Sequence, residues 1–238
     1  MEMNCAKCKV VDKSCRKPDG HGPEFCPSQT KRDIIEKSLV EYDRPLLHEF
    51  ARQASIQEGE CYANRHIKPY VMQPVKTRIV EIIEFAKKMG YKRLGLAFCS
   101  GVTQEAGVLT DVLEKQGFEV VGVSCKVGGV PKERIGLKDE EKINIGSHES
   151  MCNPIAQAMV LNDAKTDFNI MCCLCVGHDS LFLKYAESLT TVLAAKDRVT
   201  GHNPMAALYT VNSYYQKLKK VEYGSKEEME SRIVAKDV

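Results

Sequence analysis

A chain of 238 residues can bury a complete hydrophobic core, and 43% hydrophobic with 28% charged residues is an ordinary globular composition, which excludes a disordered or fibrous protein. The formal net charge of +2 comes with no single-sign block of lysine or arginine, so the electrostatic footprint of nucleic-acid binding is missing. The apolar runs at 94–98 and 120–123 are far too short to span a bilayer, and Glu2, Asn4 and Lys7 stand where a secretory signal would be apolar.

The expectation is therefore a cytoplasmic protein without membrane spans, whose eleven cysteines serve metal or thiol chemistry rather than disulfides. Residues 1–30 are rich in Cys, Lys, Pro and Gly and lack helical or strand periodicity, which predicts an irregular segment stapled by metal. Residues 31–90 read as a helical region packing on the core, broken at Asp43-Arg44-Pro45, where proline opens a new helix. A further helix is predicted from Pro74 to Gly90, with Val75, Ile79, Ile82, Ile83 and Ala86 on one stripe.

From 91 to 223 the pattern alternates. Strands are predicted at 93–98, 118–124, 168–174 and 191–195, and helices at 104–116, 154–161, 180–188 and 204–219, with a Gly-rich charged excursion at 126–147. Continuously apolar strands alternating with helices imply an α/β, Rossmann-like, doubly wound parallel sheet. Cys99-Ser100-Gly101 follows the first strand where a dinucleotide fingerprint would stand, so a nicotinamide cofactor is not expected. Residues 224–238 form a charged tail.

Two cysteine groups carry chemistry. Cys5, Cys8, Cys15 and Cys26 form a C-x2-C-x6-C-x10-C pattern. Two thiolates separated by two residues reach one ion from a single turn, and two more complete a tetrahedral sulfur set, suited to zinc or to a 4Fe-4S cluster. Pro27 after Cys26 favours iron and the wide spacing favours zinc, while His21 is an alternative donor.

The second group lies at predicted strand ends: Cys99, Cys125 and Cys175 close the first three strands, and Cys152 precedes the helix at Pro154. Ligands of open parallel sheets sit beyond the carboxyl ends of the strands, so these thiols share one edge, and a helix start favours the thiolate at Cys152. His178, Asp179, Asp197, Arg198 and His202 come from the same edge; His178 or Asp179 can move protons, and Arg198 or Lys126 can hold an anion. Cys172 and Cys173 are expected inside the third strand as space-filling thiols, and Cys61 has no partner by spacing.

Ala97-Phe98-Cys99-Ser100-Gly101, Ser124-Cys125-Lys126-Val127-Gly128, Met151-Cys152-Asn153-Pro154-Ile155-Ala156-Gln157, Leu174-Cys175-Val176-Gly177-His178-Asp179 and the segment from Lys196 to Pro204 resemble the blocks of the domain of unknown function 1847 family. The resemblance covers nearly the whole chain and implies metal binding without a settled reaction. The chain departs from that family at Cys173, where glycine is usual, which places an extra thiol near the edge or in the core.

The residues thus point to a cysteine-ligated metalloprotein with an N-terminal four-cysteine site and an iron–sulfur centre at the sheet edge. An open iron there would act on a small anionic or sulfur-containing substrate. Two alternatives stand beside it: a non-catalytic carrier or sensor of zinc or another thiophilic ion, and a thiol enzyme with Cys99 as nucleophile and His178 as base.

Overall fold

The computed structural model describes residues 3–220, and the chain divides into two compact units after Met89. The expected tail at 224–238 lies outside the described residues.

The first unit opens with an irregular segment and continues through α1 (Pro27–Thr30), α2 (Arg32–Glu41), α3 (Pro45–Glu60) and α4 (Arg78–Lys88). Proline at the first position of α3 supplies a preset φ and gives up no intrahelical bond, which accounts for the break at Pro45. Helix α4 begins four residues later than Pro74, because Pro74 bridges to Tyr62 in an extended segment and Thr77 caps the helix by accepting from Val80 N–H. It buries Ile82, Phe85 and Ala86, while Val75 and Ile79 remain exposed. Phe85 meets Phe50 of α3 edge-on at 4.9 Å between ring centroids, a favourable quadrupole geometry. Beside that contact Gln57 donates to Glu84 at 2.8 Å and accepts from Lys88 at 2.6 Å, and Lys88 pairs with Glu60 at 2.7 Å, so the polar groups between the helices are satisfied.

The second unit is an α/β fold of four parallel strands. It contains β1 (Arg93–Phe98), α5 (Thr103–Lys115), β2 (Glu119–Ser124), α6 (Pro154–Asp163), β3 (Phe168–Cys172), α7 (His178–Tyr185), β4 (Thr190–Ala194) and α8 (Met205–Tyr209). The strand order is β2-β1-β3-β4, with every pair parallel. Right-handed crossovers in that order carry α5 over one face and α6 and α7, which pack on each other, over the opposite one. Leu94, Leu96, Leu113, Leu161, Ile170 and Phe182 are fully buried and form the core. Among the described residues no helix is long and apolar enough to cross a membrane.

Two expectations are corrected here. The third strand ends at Cys172, not 174, because the β3–β4 register shifts after Met171 and Cys173 takes a left-handed φ of 57°. Cys173 therefore lies outside the strand. The helix expected over 204–219 is reduced to α8 and a 3-10 turn at Gln216–Lys219. The hydroxyls of Thr210 and Ser213 bond back to the Ala206 and Thr210 carbonyls, the local competition that weakens helices at Ser and Thr.

Gly95, buried in β1, makes room for the core amide of Asn169: a Cβ there would stand 2.1 Å from Asn169 Oδ1 and 2.9 Å from Leu161 Cδ1. Gly95→Ala is expected to cost about 1–3 kcal/mol by overpacking, read as a lower urea midpoint at unchanged slope.

Candidate functional site at the carboxyl edge of the sheet

In the β2-β1-β3-β4 order the chain leaves β1 toward β2 on one side and returns to β3 on the other, so a crevice opens beyond the carboxyl ends of β1 and β3. Cys99 follows β1 and Cys125 follows β2, and the sheet's hydrogen bonding continues through both. Cys99 N–H donates to the Cys172 carbonyl at 3.2 Å, and Cys125 N–H to the Phe98 carbonyl at 2.8 Å. Two thiols are thereby set on rigid backbone.

Cys152 reaches them through the excursion after Cys125, which is an ordered loop. Its two arms meet where Pro131 bridges Ser150 and where Met151 N–H donates to the Val130 carbonyl at 2.7 Å. Glu149 anchors the interior: it pairs with Lys132 at 2.6 Å and accepts from Ile143 and Asn144 N–H at 2.9 and 3.2 Å. The loop closes when Asn153 N–H donates to the Cys125 carbonyl at 2.7 Å, bringing Cys152 against Cys125.

The Lys132 ammonium, followed by the Asn144 and Ile143 amides, holds the Glu149 carboxyl below its ordinary range despite opposing burial. A depressed acid contributes stability that is present above its unfolded pKa and lost as pH falls through the folded one. Amide protection at Ile143 and Asn144 is therefore expected to be full at neutral pH and to fade below about pH 4. Glu149→Gln is expected to lower that protection already at neutral pH, as hydrogen exchange followed by mass spectrometry would read.

The sulfur of Cys152 lies 3.8 Å from that of Cys125. Ser100 N–H points at Cys125 Sγ from 3.3 Å, and Ser100 Oγ lies 3.7 Å away. The Cys152 thiol first, then the Ser100 amide and hydroxyl and the Cys99 thiol, draw the Cys125 pKa down to about 5 against the opposing effect of burial. Cys152 moves the other way: its hydrogen bond to Cys125, then its partial burial, raise its pKa. At the start of α6 Pro154 lacks an N–H, and Asn153 caps the helix by accepting from Ala156 N–H at 3.1 Å.

Cys175 lies three residues beyond β3, and its sulfur accepts from Arg198 Nη2 at 3.1 Å. Arg198, expected to hold an anion, is engaged with that sulfur. His178 opens α7 with its N–H on the Cys175 carbonyl, and its Nδ1 is buried without a hydrogen-bond partner among the described residues. Asp179 accepts from Ser180 N–H at 2.7 Å in the first turn of α7. Asp197 accepts from Val199 and Thr200 N–H, each at 2.9 Å, and its own N–H donates to His202 Nδ1 at 3.2 Å, so Asp197 and His202 close a tight loop. Lys126 donates to the Ser150 carbonyl and ties the base of the excursion.

Three residues at this edge were not singled out from the sequence. Ser100 was read only as part of the turn after β1. Lys196 lies by Cys99: a Cβ on Gly101 would stand 3.5 Å from Lys196 Nζ and 3.8 Å from Cys99 Sγ. Its place just after the end of β4 was the signal available. Gln157, fully buried in α6, donates to the Phe98 and Val123 carbonyls at 3.2 and 2.7 Å, joining the ends of β1 and β2 from behind the thiols.

Cys172 and Cys173 are buried with sulfurs 3.9 Å apart, and burial raises both thiols, Cys172 to about 12. The left-handed φ at Cys173 is a conformation glycine adopts without cost. Cys61 is a buried thiol donating to the Gln57 carbonyl at 3.1 Å and to Glu81 Oε1 at 3.0 Å.

In the first unit Cys5 and Cys8 share a 3-10 turn, with Cys8 N–H on the Cys5 carbonyl at 3.2 Å. Cys5 and Cys15 are exposed, and Cys26 is half-buried with Ser14 Oγ 3.7 Å from its sulfur. His21 pairs through its backbone with Asp12 and Ser14. Among the described residues no three His, Cys, Asp or Glu side chains, here or at the sheet edge, are gathered as a metal ion would need them.

Residues 26–193 match the family described as "Protein of unknown function (DUF1847)". The chain belongs to the DUF1847 family. A relative, an uncharacterized protein of Methanocaldococcus jannaschii, is 40% identical over 215 residues, covering 90% of this chain and 97% of the relative. The matched DUF1847 span takes in Cys99, Cys125, Cys152, Cys175 and His178, begins at Cys26, and ends before Arg198 and His202.

Proposed function

We propose that this DUF1847 protein is a cysteine-ligated metal protein whose principal centre is the carboxyl edge of the sheet. Cys125 and Cys152 would be its two fixed ligands, and Cys99 and Cys175 would complete the set. The 3.8 Å between Cys125 and Cys152 carries this reading. Two thiolates on one tetrahedral ion at about 2.3 Å from each sulfur stand about 3.8 Å apart. In a cubane each cysteine binds a different iron, which keeps ligand sulfurs out of mutual contact. The spacing therefore favours a single thiophilic ion such as zinc over a 4Fe-4S cubane at the strand-end thiols.

Each neighbouring group has a part. Ser100 N–H and Oγ orient the Cys125 sulfur, Asn153 N–H sets the backbone of Cys152 against that of Cys125, and Arg198 balances negative charge on Cys175. A thiophilic ion held there would supply a Lewis acid. His178, whose Nδ1 has no partner among the described residues, is the candidate to move a proton for a small anionic or sulfur-containing substrate. A carrier or sensor would use the same ligands without that step. Cys5, Cys8, Cys15 and Cys26 are proposed as a second site, on the strength of the shared 3-10 turn of Cys5 and Cys8.

Anaerobic purification followed by elemental analysis and visible absorbance tests the proposal. The expected result is a colourless protein with zinc at both sites, losing only part of its metal in a Cys5→Ser, Cys8→Ser double variant. A metal-free protein that takes up no zinc would remove the proposal, and a brown protein with iron and labile sulfide would replace the single ion with a cluster.

A further inference from the structure

The same two sulfurs have a second capacity that needs no metal. A disulfide requires sulfurs that can close to about 2.05 Å from backbones a few ångströms apart. Cys125 and Cys152 stand at 3.8 Å, and the bond from Asn153 N–H to the Cys125 carbonyl holds their main chains one hydrogen bond apart. The sulfurs have less than about 2 Å to close. Their accessibility differs: Cys125 is 2% exposed, whereas Cys152 is partly open to solvent. A reagent from outside meets Cys152 first, with Cys125 directly behind it. Ser100 N–H donates to Cys125 Sγ at 3.3 Å and so fixes the position of the sulfur that attacks second.

We propose that Cys152 and Cys125 act as a dithiol that reduces small diffusible disulfides, Cys152 as the entering sulfur and Cys125 as the resolving one. In the first step the proton of Cys152 passes to Cys125 across the 3.8 Å contact, Cys152 attacks one sulfur of the substrate as a thiolate, a Cys152–substrate S–S bond forms, the substrate's own S–S bond breaks, and one product leaves as a thiolate. In the second step Cys125 attacks Cys152 Sγ, the Cys125–Cys152 bond forms, the mixed disulfide breaks, and the second product thiolate leaves. Two electrons pass from the protein sulfurs to the substrate. As it attacks, Cys125 passes the proton it took from Cys152 to one product thiolate, and solvent protonates the other. The half-buried position of Cys152 favours disulfides small enough to reach it.

The test uses the full chain, reduced and kept with chelator, then exposed to bis-hydroxyethyl disulfide, quenched with acid and mapped by peptide mass spectrometry. The expected product is a peptide pair joined through Cys125 and Cys152, two hydrogens lighter than the free peptides and restored by dithiothreitol. In Cys125→Ser the reaction is expected to stop at a hydroxyethylthiol adduct on Cys152, with thiol release from this site halved. A stable adduct on Cys152 in the unaltered chain, a bridge from Cys125 to Cys99, or reaction confined to the exposed Cys5 and Cys15 would overturn the proposal. Zinc added beforehand separates this proposal from the metal centre. Unprotected exchange would sink the metal centre alone, and zinc uptake by a chain whose metal-free pair never closes would sink the exchange alone.

Discussion

Cys125→Ser is expected to lower zinc affinity at the sheet edge by more than about 100-fold, since loss of a supporting outer-shell group alone typically costs about 10–100-fold. The fold should tolerate the change. Serine is slightly smaller than cysteine, and its hydroxyl would meet Ser100 N–H and Oγ, which now face the sulfur. Competitive titration against a chromophoric chelator would measure the affinity, and a thermal scan of the metal-free protein would show a transition within a few degrees of the parent. Equal affinity in the variant would mean that the Cys125–Cys152 edge holds no ion. The control is Cys61→Ser, which alters a buried thiol bonded to Gln57 and Glu81 in the other unit and should leave zinc affinity unchanged.

Gln157→Leu is the change expected to disturb both the fold and the site. The side chain is fully buried, and its amide nitrogen donates to the Phe98 and Val123 carbonyls. Leucine fills similar volume and donates nothing. Loss of two buried hydrogen bonds costs about 1–3 kcal/mol each, offset in part because the amide oxygen, buried without a partner, is removed as well. A net loss of about 2–3 kcal/mol in urea unfolding is expected. Phe98 O also accepts from Cys125 N–H, so the carbonyl that positions Cys125 loses one of its two donors. Alkylation of Cys152 should accelerate in the folded variant as Cys125 shifts from behind it. A variant with unchanged urea midpoint and unchanged alkylation would show that the amide does not brace the site.

The α/β class and the break at Pro45 were legible because each rests on local chemistry. Buried parallel strands write themselves as uninterrupted apolar runs, as at 94–98, and proline fixes its own φ. Placing Cys99 and Cys125 just after strands followed from the same runs. The departures came where local preference was overruled or competed with. Cys172-Cys173-Leu174-Cys175 is apolar enough to continue a strand, yet the left-handed turn at Cys173 ends it. The stretch after Tyr209 keeps a helical apolar spacing, but the hydroxyls of Thr210 and Ser213 compete for its carbonyls.

Composition and spacing were enough to establish which residue types stand at strand ends, because period and apolar runs are properties of contiguous chain. Which thiols touch was decided by tertiary structure alone. The meeting of Cys125 with Cys152 depends on a loop anchored by Glu149 and Lys132 and on a hydrogen bond between residues 125 and 153, contacts that no local period encodes. The donors that lower the Cys125 pKa are brought together in the same way, since Ser100 and Cys152 reach Cys125 only once the sheet has formed.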